Sequence, residues 1–482
     1  MEPLDRILER FEQLSGVPRG TRYEAGIRQW LQQWAGTQGL ASRVDAVGNL
    51  LIQIPASPGY EVQPTVVLQG HMDMVWQKIP NSAHDFTRDP IRILRNGEWL
   101  TADGTTLGAD NGIAIALMMA LAEETGLPHP ALELLLTVEE ELGATGAKEI
   151  DPGLLSGRFL INLDSEEEGV FTIGCAGGWT LYITLPAAWA PPEAGWETLR
   201  LKVDGLRGGH SGGDINAHRG NANKLLGRAL ACVEAEIPVR LAVLKGGTVR
   251  NAIPREAEAV FAVPPGKRAP CRERLNAFEA EIKPEYAGTD EGLHFMLEEA
   301  ASPASLVTRS DARQMIRLLC ALPNGLTEMS ILQPGLVQTS NNIGIMELNE
   351  EGLNIVSNHR SQIGSCLDEI MLRVESIAQL SGAHTRRNDR TSPWEPRPGS
   401  RLLAICRDVY EREFGAPPKV ESTHGGLECG LLNARFEGLD CISMGPTILN
   451  PHSPDERLHI PSVERTWKLL AALLRSFRAE GS

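Results

Sequence analysis

Leu4, Ile7, Leu8, Phe11 and Leu14 recur at helical spacing, and Gly16 and Pro18 close that helix. A second helix is predicted to carry Ile27, Trp30, Leu31 and Trp34, with Thr21 and Glu24 as its capping box and Gly39 at its end. Short strands are expected near 42–44 and 49–54. The apolar run 65–68 then predicts a buried strand that stops at Gly70 and delivers His71 and Asp73. Residues two apart in an extended segment face one side. The runs 132–137 and 159–164 repeat the design, each an apolar strand with acids at its exit. The first releases Glu139, Glu140 and Glu141, the second Asp164. Asp110 opens the apolar helix 113–121, where it reads either as an N-cap or as a ligand. Polar side chains released at the carboxyl ends of buried strands are how an open α/β sheet builds a site.

The rest of the pattern is more mixed. Residues 76–107 are polar and strand-poor and read as an insertion with a hairpin at Asn96-Gly97. After residue 187 the texture changes to alternating segments such as 199–203 and 248–263, with a helix at 221–234 and further strand and helix runs over 300–385. This predicts one or two small α+β units, with no sequence repeat. The polar stretch 385–400 reads as a return linker. A helix at 401–414, a Gly-rich loop at 423–430, a strand at 440–443, the loop 450–454 around His452 and a last helix from Ser462 complete the chain. The fold expected is two-domain α/β. A mixed-sheet catalytic domain is split between 1–187 and 391–482, and an inserted α+β lid and dimerisation domain spans 188–390.

Composition narrows the function classes. A chain of 482 residues allows two or three domains. A formal charge of −16 argues against nucleic acid or an anionic membrane as partner. The start of the chain does not read as a signal peptide, and the longest apolar run, 112–122, is too short to span a bilayer. The eight cysteines form no Cys-x-x-Cys pair, which suggests reduced thiols in a cytoplasm.

His71, Asp110, Glu141, Asp164 and His452, with Asp73 and Glu140 beside them, make a candidate metal set. Nitrogen and oxygen donors without thiolate suit Zn²⁺, Mn²⁺ or Co²⁺. Five ligands with one bridging carboxylate suit two ions about 3.5–4 Å apart, which can hold a water between them and polarise a carbonyl. A glutamate is a suitable base for that water.

The motifs go further. They are His71-Met-Asp73, Gly108-Ala-Asp110-Asn-Gly112, Glu140-Glu141-Leu-Gly143, Asn162-Leu-Asp164-Ser-Glu166, Gly209-His210-Ser-Gly-Gly213, Gly426-Leu-Glu428-Cys-Gly430 and His452-Ser-Pro454-x-Glu456. In this order they resemble the aminoacyl-histidine dipeptidases, or cytosol non-specific dipeptidases, of the di-zinc aminopeptidase/aminoacylase superfamily. The resemblance implies that His71 and Asp164 hold one metal, Glu141 and His452 the other, and that Asp110 bridges. It implies that Asp73 orients His71 and that Glu140 is the general base and then the acid for the leaving amine. His210 would stabilise the oxyanion in the site of the partner subunit of a homodimer, and Arg360 would bind the substrate's terminal carboxylate. Glu139 departs from the family, which often has aspartate there; Leu142 and Gly143 fix the pair as Glu140-Glu141. Cys429 is expected to shape its loop, and Glu428 reads either as loop-shaping or as functional.

The function expected is hydrolysis of unblocked dipeptides, including Xaa-His types, in the cytoplasm. Hydrolysis of N-acyl amino acids within the same superfamily, a metal-binding protein without catalysis, and a peptide-binding module remain as alternatives. Intact Asp73 and Glu140 argue against a mere metal store.

Overall fold

The computed structural model describes residues 2–397 and 399–477. The chain forms two compact units. One is Met1–Cys175 with Trp394–Ser422 and Leu427–Ser482, the other Ala176–Pro393 with Thr423–Gly426.

The first unit is built on an eight-stranded sheet in the order Ala41–Val44, Leu50–Ile54, Leu132–Thr137, Val66–His71, Phe159–Asn162, Asp440–Ser443, Val170–Cys175, Lys419–Thr423. Its middle strands, from Leu132–Thr137 to Asp440–Ser443, pair in parallel, so their carboxyl ends lie at one edge. These strands are buried throughout, which is why they read as unbroken apolar runs. Helix Ala109–Ala122 is apolar all round and buried all round, packed against Pro3–Ser15. The expected hairpin is present: Ile93–Asn96 pairs with Trp99–Ala102 across Gly97, whose φ of +60° suits glycine.

Three expectations are corrected here. The helix Ala25–Thr37 receives no side-chain cap. Thr21 instead donates to Asp73 and Glu24 accepts from Glu139, so both are spent on distant loops. The polar stretch 385–400 is not all linker, because His384–Thr391 is a strand paired with Gly177–Pro186. Gly177–Pro186 also pairs with Gly352–Ser361, so the second unit begins at Ala176, not at 188, and runs to Pro393.

The second unit contains the same plan twice. Strands Glu197–Asp204, Arg240–Gly246, Ala257–Val263 and His294–Glu299, with helices Ala222–Glu234 and Arg268–Ile282, follow β-α-β-β-α-β and lie in the sheet as fourth, first, third, second. Strands Gly177–Pro186, Val337–Asn349, Gly352–Ser361 and His384–Thr391, with helices Arg309–Ala321 and Gly364–Leu380, do the same in reverse order. The two halves join through their second strands, Lys245 opposite Glu347 and Gly246 opposite Met346. The first half is nested in the second. Its entry and exit, Trp189–Ala190 and Leu306–Val307, pair with each other, and Arg240 donates to the carbonyls of Ala190, Leu306 and Val307.

Candidate active site

At the common carboxyl edge of the first unit the polar residues converge. His71 ends its strand 1% exposed. Its Nε2 lies 3.1 Å from Asp110 Oδ1 and 3.4 Å from Asp164 Oδ1, and its Nδ1 lies 3.3 Å from Asp73 Oδ1. His452 Nε2 is 3.0 Å from both Asp110 Oδ2 and Glu141 Oε2. Asp110 therefore turns one oxygen to each imidazole. Asp110 and Asn111 leave helical angles where this helix begins, and both carboxylate oxygens of Asp110 go to the imidazoles.

Charge explains how the groups poise one another. Burial drives Glu140 well above the usual carboxylate range, and the neighbouring Glu141 and Asp164 add to it. Burial raises Glu141 and Asp164 as well. Burial also opposes the charge on Asp110, but the bonds from His452 and His71 prevail and hold this acid low. His452 is pushed up to about 11 by its bonds to Asp110 and Glu141.

The loops that carry these groups are pinned by residues far away in sequence. Asp73 accepts the backbone N–H of Glu140 at 3.1 Å and of Glu141 at 3.2 Å, and the Thr21 hydroxyl at 2.9 Å. Glu456 accepts the N–H groups of Leu107, Gly108, Ala109 and Asp110 at 2.8–3.2 Å. An anion at a helix N-terminus is favourable, and this one ties the His452 loop to the start of the Asp110 helix. Arg19, 1% exposed, donates to the carbonyls of Met72, Asp73 and Gly108. Burial lowers its pKa to about 10. Asn111 accepts from the His71 N–H and donates to Leu163 O. Sequence reasoning assigned no role to Arg19, Asn111 or Glu456. The signals were Asn111, next to Asp110, and Glu456, four residues past His452, each inside one of the motifs.

The donor chemistry fits divalent cations. Ligand atoms of His71, Asp110 and Glu141 lie within 4.8 Å of one another, and Glu141 Oε1 is buried with no hydrogen-bond partner among the described residues. Carboxylates outnumber bases here, a surplus that cations offset.

His210 and Arg360 both lie in the second unit, one in each half. His210 sits in the short strand Gly209–His210, paired with Ala252–Ile253. Its Nδ1 accepts the Gly213 N–H at 3.1 Å, which leaves the proton of the neutral ring on Nε2. Arg360 lies on Gly352–Ser361, opposite Ser340. His424 joins them. It is buried with Nε2 2.7 Å from Ser340 Oγ, and burial, then the charges of Arg360 and His210, lower it to about 3. His424 had no assigned role in the sequence reading.

The profile of Peptidase family M20/M25/M40 matches residues 67–476. The chain is 40% identical over 470 residues to the cytosol non-specific dipeptidase of Escherichia coli K12, covering 98% of this chain and 97% of that one. It is similar to the crystal structure of the aminoacylhistidine dipeptidase from Vibrio alginolyticus, with a TM-score of 0.86, 39% identity and coverage of 99% and 97%. The aminopeptidase PepT from Bacillus cereus shares the fold at 15% identity and a TM-score of 0.57, over 99% of both chains.

Proposed function

The chain belongs to the peptidase family M20/M25/M40, and on that footing we propose that it is a metal-dependent dipeptidase, hydrolysing the amide bond of unblocked dipeptides, Xaa-His among them. The observation that carries the reading is Asp110, whose two oxygens face His71 and His452 at 3.1 and 3.0 Å. In this reading His71 and Asp164 hold one divalent ion, Glu141 and His452 hold another, and Asp110 serves both. Zn²⁺ is the first choice for such donors, with Mn²⁺ and Co²⁺ as alternatives. When bound, the ions polarise the scissile carbonyl and acidify the attacking water.

The chain's own groups do the rest. Glu140, its backbone fixed by Asp73, takes the proton from the water and returns it to the leaving amine. Asp73 orients His71. His210 offers its Nε2–H to the carbonyl oxygen as negative charge develops. Arg360 receives the peptide's terminal carboxylate. The second unit serves as a lid and carries the contact of a homodimer, through which His210 reaches the neighbouring chain's site. The cytosol is its place, as the name of the Escherichia coli relative has it. In support, all eight cysteines are free and no helix among the described residues is long and apolar enough to cross a membrane.

The test is an assay of metal-stripped protein on dipeptides and on N-acyl amino acids, with Zn²⁺, Mn²⁺ and Co²⁺ added back. Dipeptide hydrolysis restored by metal is expected. Full activity in protein shown by elemental analysis to be metal-free contradicts the mechanism, and preference for N-acyl amino acids moves the substrate class.

A further inference from the structure

Glu428 is a buried carboxylate that the proposed reaction leaves without a task. It opens the helix Glu428–Arg435 and is 1% exposed. Its Oε2 accepts from Gln69 Nε2 and from Thr137 Oγ1, both at 2.6 Å, while Oε1 has no partner among the described residues. The other end of the Gln69 amide, Oε1, accepts from Asn162 Nδ2 at 2.6 Å. Asn162 Oδ1 then accepts the backbone N–H of Asp164 at 3.2 Å, and the hydroxyl of Ser443. Gln69, Thr137, Asn162 and Ser443 are all fully buried.

A side-chain amide has two unlike ends, since its carbonyl accepts and its NH₂ donates. In a line of such groups, the direction of every link is set by the member that has no choice. An ionised carboxylate only accepts, and although burial raises the Glu428 acid to about 7, a proton on the unpartnered Oε1 still leaves Oε2 as an acceptor. Glu428 therefore turns the Gln69 NH₂ towards itself. That leaves the Gln69 carbonyl for Asn162, and the Asn162 carbonyl for the Asp164 N–H, which can only donate. Reversing Asn162 would set NH₂ against the N–H of Asp164, and reversing Gln69 would set its carbonyl against Glu428 and its NH₂ against that of Asn162.

We propose that Glu428 is a positioning residue of the hydrolytic site. As the fixed acceptor at one end of the relay, opposite the Asp164 N–H that can only donate at the other, it anchors Gln69 and Asn162 and so helps to hold the backbone of Asp164 in place. It touches neither substrate nor metal, and its effect rests on the reading of Asp164 as a ligand.

The experiment has two arms. Metal-stripped protein is titrated with Zn²⁺ by calorimetry, and reloaded protein is assayed for dipeptide hydrolysis. Glu428→Met removes the acceptor at nearly constant length. One of the two metal equivalents should weaken about 10–100-fold while the other stays put, and kcat should fall with KM nearly unchanged. Glu428→Gln keeps a carbonyl for Gln69 and Thr137 and should restore both readouts. Asn162→Ala breaks the same relay at its last link and serves if Glu428→Met fails to fold. Wild-type metal affinity and kcat in a folded Glu428→Met or Asn162→Ala protein overturn the proposal. So does equal damage in Glu428→Gln, which would make charge, not acceptance, the operative property, and so does equal loss of both equivalents. Failure of the wild type to hydrolyse dipeptides counts against the function instead, and the calorimetric arm still decides the relay.

Discussion

Asp73 and Glu140 are joined through the backbone: the Glu140 N–H donates to Asp73 Oδ1 at 3.1 Å, while the Glu141 N–H donates to Oδ2 at 3.2 Å. With both peptides held, the adjacent side chains cannot trade places. Glu141 turns to His452 at 3.0 Å. Glu139 is engaged elsewhere, its carboxylate accepting the Thr145 hydroxyl at 2.9 Å. Glu140→Gln should therefore keep its metal and lose about 10²–10⁴-fold in kcat. Glu141→Gln should lose metal, and Glu139→Gln should change little. Steady-state kinetics with elemental analysis read all three. A metal-replete, inactive Glu139→Gln would move the roles by one residue.

Glu456 braces two candidate ligands at once, by sequence to His452 and by hydrogen bonds to the segment that ends in Asp110. Glu456→Gln sets an NH₂ against two of the four backbone N–H donors. Metal affinity should fall about 10–100-fold, measured by competition with a chromophoric chelator. Unchanged affinity would show that the brace does not position the ligands.

His210 should act as an Nε2–H donor, because the Gly213 N–H occupies Nδ1. His210→Ala should cost about 10²–10³-fold in kcat with metal content unchanged. If His210 serves the neighbouring chain, mixing His210→Ala with Glu140→Gln dimers under subunit exchange should restore activity, because each heterodimer gains one intact site. If exchange is demonstrated and activity stays at the mutant level, His210 acts in its own chain's site or not at all.

His359 carries a pH dependence of stability. It is fully buried, Nδ1 donating to Trp179 O at 3.0 Å and Nε2 facing the Ser357 hydroxyl at 3.3 Å, a neutral ring. Burial lowers its pKa to about 4 from the ordinary 6.5. Between those values the unfolded chain binds more protons, so stability falls as pH drops through 6.5 and the loss is complete below about 4. The full effect is on the order of 3 kcal/mol. The His359 ring signal, identified as the one missing in His359→Gln, should not titrate in nuclear magnetic resonance spectra above pH 5 or so. A midpoint at or above the ordinary histidine value would contradict it.

What the sequence made legible was local. His71 and Asp73 at the end of an apolar strand, the glutamates after the next one and Asp164 after a third are each announced by a handful of neighbouring residues. Their supports are not. Arg19 and Glu456 act on backbone groups, and no side-chain pattern marks a backbone acceptor or donor far away in the chain. Thr21 and Glu24 have the spacing of a capping box, yet Asp73 and the Glu139 peptide compete for the same oxygens and win. The doubling of the second unit was invisible because the halves share geometry rather than residues, and because one interrupts the other.

That nesting makes the second unit modular. The inserted half enters and leaves through two strands that already touch, Trp189–Ala190 and Leu306–Val307, so a short linker could replace everything between them without stretching the remainder. The cost would fall on the long strand Val337–Asn349. Gly325–Met329 would still cover its start, but without Arg240–Gly246 its far end around Met346 and Glu347 would become an open sheet edge, free to pair with another copy. A pruned protein of this kind would be expected to self-associate through the seam that the intact chain closes upon itself.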